Sequence, residues 1–173
     1  HGRFYEKTVK KYLDGDTGGE FVFLDIGCGG GQALACLYAR FPRALVHGID
    51  HSPEMTRLAR KVNRRGVREG RVRVEQASAD ALPYRNSSFD AVTAFDTINF
   101  WGDMDASLAE VKRVLKPGGM FLVVNAYPKE GTRWHDFVRF KNDAEYREAL
   151  ASRGFGGVLT VVEKGSVIVR AFK

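Results

Sequence analysis

The residues richest in chemistry are Asp25-Ile26-Gly27-Cys28-Gly29-Gly30-Gly31, an acid followed by a glycine-dense turn. Glycines there permit left-handed dihedrals and let a ligand touch the backbone with no Cβ in the way. A carboxylate ahead of the first glycine repels a pyrophosphate and attracts an ammonium or sulfonium group. The spacing agrees. A dinucleotide-type G-x-G-x-x-G needs glycine at 32 or at 34, and the chain has Gln32 and Leu34 there. No G-K-[ST] follows the turn, so a P-loop is excluded as well. Asp50 stands 19 positions beyond Gly31, near the ~20 expected of a carboxylate that accepts from ribose hydroxyls. An exposed turn acid is the plainer reading of Asp50 taken alone. S-adenosylmethionine carries the ammonium, the sulfonium and the ribose that such a pair of acids would meet.

Short apolar runs place these residues. Phe21 to Ile26 reads as a buried strand ending in the glycines, Gln32 to Phe41 as a helix stopped by Pro42, and Ala44 to Asp50 as a second strand. Ser52-Pro53 supplies an N-cap and a first-turn proline for a helix Glu54 to Arg65. Gly66 and Gly70 bracket a loop before the strand Val72 to Gln76. The rhythm then repeats: strand Phe89 to Phe95, helix Met104 to Leu115 ended by Pro117-Gly118-Gly119, strand Met120 to Asn125, and helix Asn142 to Arg153. Val158 to Glu163 and Val167 to Phe172 flank Lys164-Gly165-Ser166 as an antiparallel hairpin. Alternating strands and helices predict an α/β fold, a seven-stranded mostly parallel sheet with helices on both faces. Tyr5, Val9, Tyr12 and Leu13 share one helical face, which predicts an amphipathic helix over residues 3–13. The expected organisation is one domain: a helical arm and connector (1–19), a cofactor-binding core (20–125), a short substrate-side insertion (126–141), and a helix plus hairpin (142–173).

Composition bounds the function classes. The 173 residues are 44% hydrophobic and 28% charged, with a net charge of +6, ordinary values for a folded domain. No apolar run approaches the ~20 residues of a membrane span, and the N-terminal residues lack the apolar stretch of a signal peptide. The expectation is a cytoplasmic protein that does not enter the membrane. Cys28 and Cys36 form no CxxC, and the four histidines include no HExxH, so no metal is expected.

In combination, Phe23 to Gly31 resembles motif I of the class I S-adenosylmethionine-dependent methyltransferases. Gly48-Ile49-Asp50-His51-Ser52-Pro53-Glu54-Met55 is similar to their second motif. Ala79-Asp80-Ala81-Leu82-Pro83-Tyr84 resembles the adenine-side loop, Ser88 to Val92 the fourth strand, and Glu110 to Gly119 the helix-to-strand turn of the small-molecule, type 11-like branch. The resemblance implies a Rossmann-like doubly wound sheet whose last strand is antiparallel and inserted between the fifth and the sixth. It implies that Asp25 and Gly27 hold the methionine part of S-adenosylmethionine, with Gly29 and Gly31 giving close approach. Asp50 would bind the ribose, His51 and Met55 would pack on the adenine, and Asp80 with Ala81 would meet its amino edge. Phe95 and Asp96 would lie near the transferring methyl.

The acceptor side is less determined. Methyl transfer from a sulfonium needs alignment, and a base only when the acceptor arrives protonated. Asp96, Asn99, Tyr127 and His135 are the candidates; Asp96 and Asn99 could equally cap the next helix, Tyr127 could simply pack, and His135 reads as a surface residue. Phe95, Phe100, Trp101, Tyr127, Trp134 and Phe137 could enclose a planar or apolar acceptor, or steady the sulfonium by cation–π contact. Core packing is the competing reading, favoured for Phe95 and Phe137. The basic stretch Arg57, Arg60, Lys61, Arg64, Arg65, Arg68, Arg71, Arg73 could track nucleic acid, yet a solvated helix face explains it better because no aromatics interleave. The expected function is methyl transfer to an O, N or C nucleophile of a small molecule. An RNA or protein methyltransferase and a non-catalytic module of the same fold stay open, and the short lid is compatible with a homodimer.

Overall fold

The computed structural model describes residues 20–173 together with residues 7, 9–11 and 13. Its seven strands form one sheet in the order β3-β2-β1-β4-β5-β7-β6. The chain divides into two compact units, His1–Ser78 and Ala79–Lys173.

In the first unit β1 (Val22–Ile26), β2 (Leu45–Asp50) and β3 (Val72–Gln76) run parallel, with Asp25 opposite Gly48. Helix α1 (Gln32–Arg40) buries Ala33, Leu34 and Leu37. Gly48 makes room for it, since a Cβ there would stand 2.6 Å from Leu34 Cδ1 and 3.0 Å from Cys28 Sγ. Helix α2 (Pro53–Val62) starts as predicted: Ser52 Oγ accepts from the Met55 N–H at 3.3 Å, and Pro53 occupies the first turn. It ends earlier than the predicted Arg65. Asn63 is buried and turns its Nδ2 onto Gly31 O and Ala59 O, both at 2.9 Å, and this interrupts the helix before a short α3 (Arg64–Arg68). Gly66 is therefore helical rather than a loop residue. A Cβ on it would lie 2.4 Å from Val72 Cγ2, so only glycine lets α3 sit this close to β3. Of the predicted N-terminal helix, Lys7, residues 9–11 and Leu13 are helical, with Val9 and Leu13 buried. Tyr5, Tyr12 and the connector 14–19 lie outside the described residues.

In the second unit β4 (Phe89–Phe95) pairs in parallel with β5 (Leu115–Ala126). β7 (Ser166–Phe172) is antiparallel to both β5 and β6 (Gly156–Glu163), which puts the terminal strand between them as the resemblance implied. Lys164 and Gly165 both have positive φ, 51° and 76°, the signature of a two-residue hairpin turn. Helix α4 (Met104–Val114) buries Met104, Ser107, Leu108, Val111 and Val114, one face at helical spacing. β5 begins at Leu115 rather than the predicted Met120. The register passes from Phe89↔Leu115 to Ala91↔Met120, so Lys116-Pro117-Gly118-Gly119 is taken up as a bulge within the strand, where a proline costs no ladder bond. Helix α6 (Asp143–Ala151) is capped by Asn142. Two elements escaped prediction, a 3₁₀ turn Ile98–Phe100 and helix α5 (Arg133–Phe137) within the 126–141 insertion. Each is too short to show a period. Among the described residues no helix is long and apolar enough to cross a membrane.

Candidate functional site

The glycine turn is pinned to the carboxyl end of β2. The N–H groups of Gly27 and Cys28 both donate to Ile49 O, at 2.8 and 2.9 Å. Asp50 fixes the turn from the other side: Oδ2 accepts the Gly29 N–H at 2.9 Å and Oδ1 the Ser52 N–H at 2.9 Å. Gly27, Gly29 and Gly31 have φ of 74°, 50° and 82°, a region that side-chain-bearing residues rarely adopt. Their surroundings differ. A Cβ on Gly29 would meet nothing within 4 Å, whereas one on Gly31 would lie 2.5 Å from Asn63 Nδ2 and 2.9 Å from Ala59 Cα. Close approach at Gly31 is thus made to α2, and the backbone facing open space is that of Gly29.

Two acids flank the turn. Asp25 is 1% and Asp50 7% exposed. Their charge is felt between them, where burial foremost, then Asp25, then Asp50, push the Cys28 thiol upward. Cys28 is accordingly a neutral thiol and not a nucleophile. His51 is almost fully exposed beside Asp50, with Nδ1 3.6 Å from Oδ1, and Met55 is half-buried at the start of α2.

In the second unit Asp80 and Ala81 are exposed on the loop before β4. That loop is held by a pair the sequence reading missed. Glu110 Oε2 accepts the Leu82 N–H at 2.8 Å, while Arg113 donates to Tyr84 O at 2.7 Å and Leu82 O at 3.1 Å and chelates Glu110. The Arg113 bonds hold the Glu110 carboxyl below its ordinary pKa. Their i,i+3 spacing on α4 shows an ion pair in the sequence; its grip on a distant loop does not.

Asp96 closes β4 with a positive φ of 54°. Its N–H donates to Val124 O at 2.8 Å and its Oδ1 accepts the Ala126 N–H at 2.9 Å, so main chain and side chain both bind β5. Burial raises its pKa above the usual aspartate value, against the Ala126 N–H, which lowers it. Asp96 does not cap the next helix. Asp103 does, accepting the Ala106 N–H at 3.0 Å. Nor does Asn99, which belongs to a buried polar group with Tyr146 and Asn125, where Asn125 Nδ2 donates to the Tyr146 hydroxyl at 2.8 Å. Tyr127 is half-buried and donates its N–H to Gly165 O in the hairpin turn. His135 lies on α5, partly buried.

The six aromatics separate. Phe95 and Trp101 are core, Trp101 stacked on Phe121 at 6.2 Å. Phe137, expected in the core, is 60% exposed and joins Phe100 and Trp134 in a surface cluster. A short helix in an insertion gave no period from which its buried face could be read. The basic stretch is partly consumed by the fold. Arg60 donates to Val74 O, Arg71 to Ala44 O, Phe41 O and Tyr38 O, and Arg65 pairs with Glu69 at 2.9 Å. Among the described residues no three His, Cys, Asp or Glu side chains gather as a metal site.

Comparison with known proteins agrees with the fold. The family described as "Methyltransferase domain" matches residues 24–123. The uncharacterized methyltransferase YcgJ of Bacillus subtilis is 32% identical over 138 residues, 77% of this chain and 53% of that protein. Its crystal structure superposes with a TM-score of 0.78 at 18% identity, over 99% of this chain and 98% of that one. A demethylmenaquinone methyltransferase of Thermus thermophilus is 42% identical over 107 residues, 61% of this chain and 47% of that protein. A phosphoethanolamine N-methyltransferase of Haemonchus contortus, solved with S-adenosylhomocysteine, shares the fold at TM-score 0.83 and 18% identity, over 99% of this chain and 52% of that one. The chain spans about half the length of the curated relatives it matches. A glycine turn between two buried acids, on a sheet with an inserted antiparallel strand and in a sequence that the family matches over most of the core, makes this chain a member of the class I S-adenosylmethionine-dependent methyltransferases, type 11 branch.

Proposed function

We propose that this domain transfers the methyl group of S-adenosylmethionine to a small-molecule acceptor. The observation that carries the reading is the Gly29 backbone. It is left-handed, has open space where a Cβ would stand, and is tied to Asp50. Asp25 would attract the ammonium and sulfonium, and Gly27 would offer backbone to the methionine part. Each Asp50 oxygen accepts one backbone N–H and keeps a lone pair for a ribose hydroxyl. Helix α1 begins without a side-chain cap, so its first N–H groups suit the methionine carboxylate. His51 and Met55 would cover the adenine, and the resemblance adds Asp80, Ala81, Phe95 and Asp96. S-adenosylmethionine supplies an electrophilic methyl whose C–S bonding electrons stay on sulfur as the acceptor bond forms. Where the acceptor is protonated, Asp96 takes the proton, and its raised pKa brings it nearer to a working base.

Relatives that include demethylmenaquinone methyltransferases support a small-molecule acceptor, and the absence of aromatics interleaved with the basic stretch favours it over nucleic acid. The test is calorimetric titration with S-adenosylhomocysteine, with NAD as control. Micromolar binding to the wild type, at least ~10-fold weaker binding to Asp50→Ala and no response to NAD are expected; ~10-fold corresponds to about 1.4 kcal/mol. Absence of S-adenosylhomocysteine binding to folded wild type rejects the proposal.

A further inference from the structure

Two segments of the second unit are pinned together, with the Phe100 and Phe137 rings exposed and Trp134 half-buried. Arg139 Nη2 donates to Trp101 O at 3.3 Å and Gly102 O at 3.2 Å, tying the insertion to the chain that follows β4. Helix α5 is closed at both ends. Thr132 Oγ1 accepts the His135 N–H at 3.2 Å, and Lys141 Nζ donates to the carbonyl oxygens of His135, Asp136 and Val138. Across this joint the Phe100 ring lies 6.1 Å from Trp134 and 5.6 Å from Phe137, and Trp134 lies 5.7 Å from Phe137.

Core packing does not account for the cluster. Phe100 is 58% and Phe137 60% exposed, while the neighbouring Trp101 is 6% exposed. An aromatic side chain carries ~150–250 Å², so these two leave roughly 200–300 Å² in water, approaching the ~300–600 Å² of the largest apolar patch on a typical monomer. The rings are inclined by 26–46° to one another. That makes an angled, π-faced seat. Asp96 lies four residues before Phe100, a chain reach of at most ~14 Å. A one- or two-ring molecule resting on the cluster can therefore bring a substituent towards Asp96.

Resting on the methyl-transfer reading above, we infer that Phe100, Trp134 and Phe137 seat the ring of the acceptor, which is an aromatic small molecule bearing a hydroxyl or amino group. The rings determine specificity, since they offer stacking and edge contacts that a saturated skeleton of equal size cannot use. The probes are 2-naphthol and its saturated analogue decahydro-2-naphthol, titrated calorimetrically into wild type and into Phe100→Ala/Phe137→Ala, with and without S-adenosylhomocysteine. Both substituted rings are exposed, so the variant should fold, and circular dichroism checks it. Expected results are 2-naphthol binding at least tenfold tighter than the saturated analogue, a loss of at least tenfold in the variant, and S-adenosylhomocysteine affinity within twofold of wild type. Equal binding of the two alcohols, undiminished binding to the variant, or no 2-naphthol binding to a wild type that does bind S-adenosylhomocysteine each overturns the inference. So does light scattering that shows a wild-type dimer converted to monomer by the variant, which would assign the rings to a second copy of the chain. Loss of S-adenosylhomocysteine binding by wild type would instead strike the methyl-transfer reading, so the two failures are distinguishable.

Discussion

Asp96 and Gly29 show how a single residue is committed by its surroundings. The Asp96 carboxylate closes the β4–β5 edge through Ala126, and burial lifts its pKa. A base must be ionised to accept a proton, so the acidic limb of kcat/KM should lie above the ordinary aspartate value. Asp96→Asn should remove that limb and lower kcat by ~10²–10⁴-fold, read from pH–rate profiles with the first acceptor turned over. Unchanged kcat with an unchanged profile would leave Asp96 a strand-edge residue. The two glycines that share left-handed dihedrals should respond differently to alanine. Gly31→Ala drives a Cβ into Ala59 and Asn63 and should cost about 2–4 kcal/mol in urea unfolding, from dihedral strain plus overpacking. Gly29→Ala meets open space, so it should cost about 1 kcal/mol of stability and show its main effect as weakened S-adenosylhomocysteine binding. The sequence names both as turn glycines; only the packing of α2 separates them.

At the scale of elements, caps and breakers were legible where the cause is local. Ser52-Pro53 starts α2 and Lys164-Gly165 turns the hairpin because those dihedrals and side-chain bonds involve near neighbours. The end of α2 was not legible, because Asn63 breaks it by reaching Gly31, 32 positions away. The same holds for Glu110 and Arg113, whose partners Leu82 and Tyr84 lie on another element. Arg113 depresses the folded-state pKa of Glu110, so the pair's contribution is present above the unfolded pKa and is lost as pH falls through the lower folded value. Glu110→Gln should therefore destabilise by about 1.5–3 kcal/mol near neutrality, the usual worth of hydrogen bonds to charged groups. The gap to wild type should close as the pH is lowered below 4.5, the ordinary value for the group. Urea midpoints at a series of pH values measure it, and a gap independent of pH would mean that the loss is packing alone.

For the molecule as a whole, binding and stability are linked. A ligand that binds only the folded chain at 100 times its Kd adds about 2.7 kcal/mol, which for a chain of this length raises Tm by ~5–10 °C. S-adenosylhomocysteine should give such a shift in differential scanning fluorimetry and NAD none; equal shifts would point to non-specific binding. Of the basic stretch, Arg60 and Arg71 also hold the fold through backbone carbonyls, while Arg57, Lys61, Arg64, Arg68 and Arg73 stand exposed. Taken alone, the sequence determined the α/β alternation, the glycine turn, the two acids and hence the family, since strand periodicity, turn glycines and acid spacing are written in consecutive residues. Tertiary structure decided which glycine faces open space and which packs on a helix, which arginines bind backbone carbonyls, what holds the loop carrying Asp80, and which aromatics stand in solvent. Phe137 was expected inside and lies outside, because burial in a five-residue helix is set by the chain it packs against and not by any period of its own.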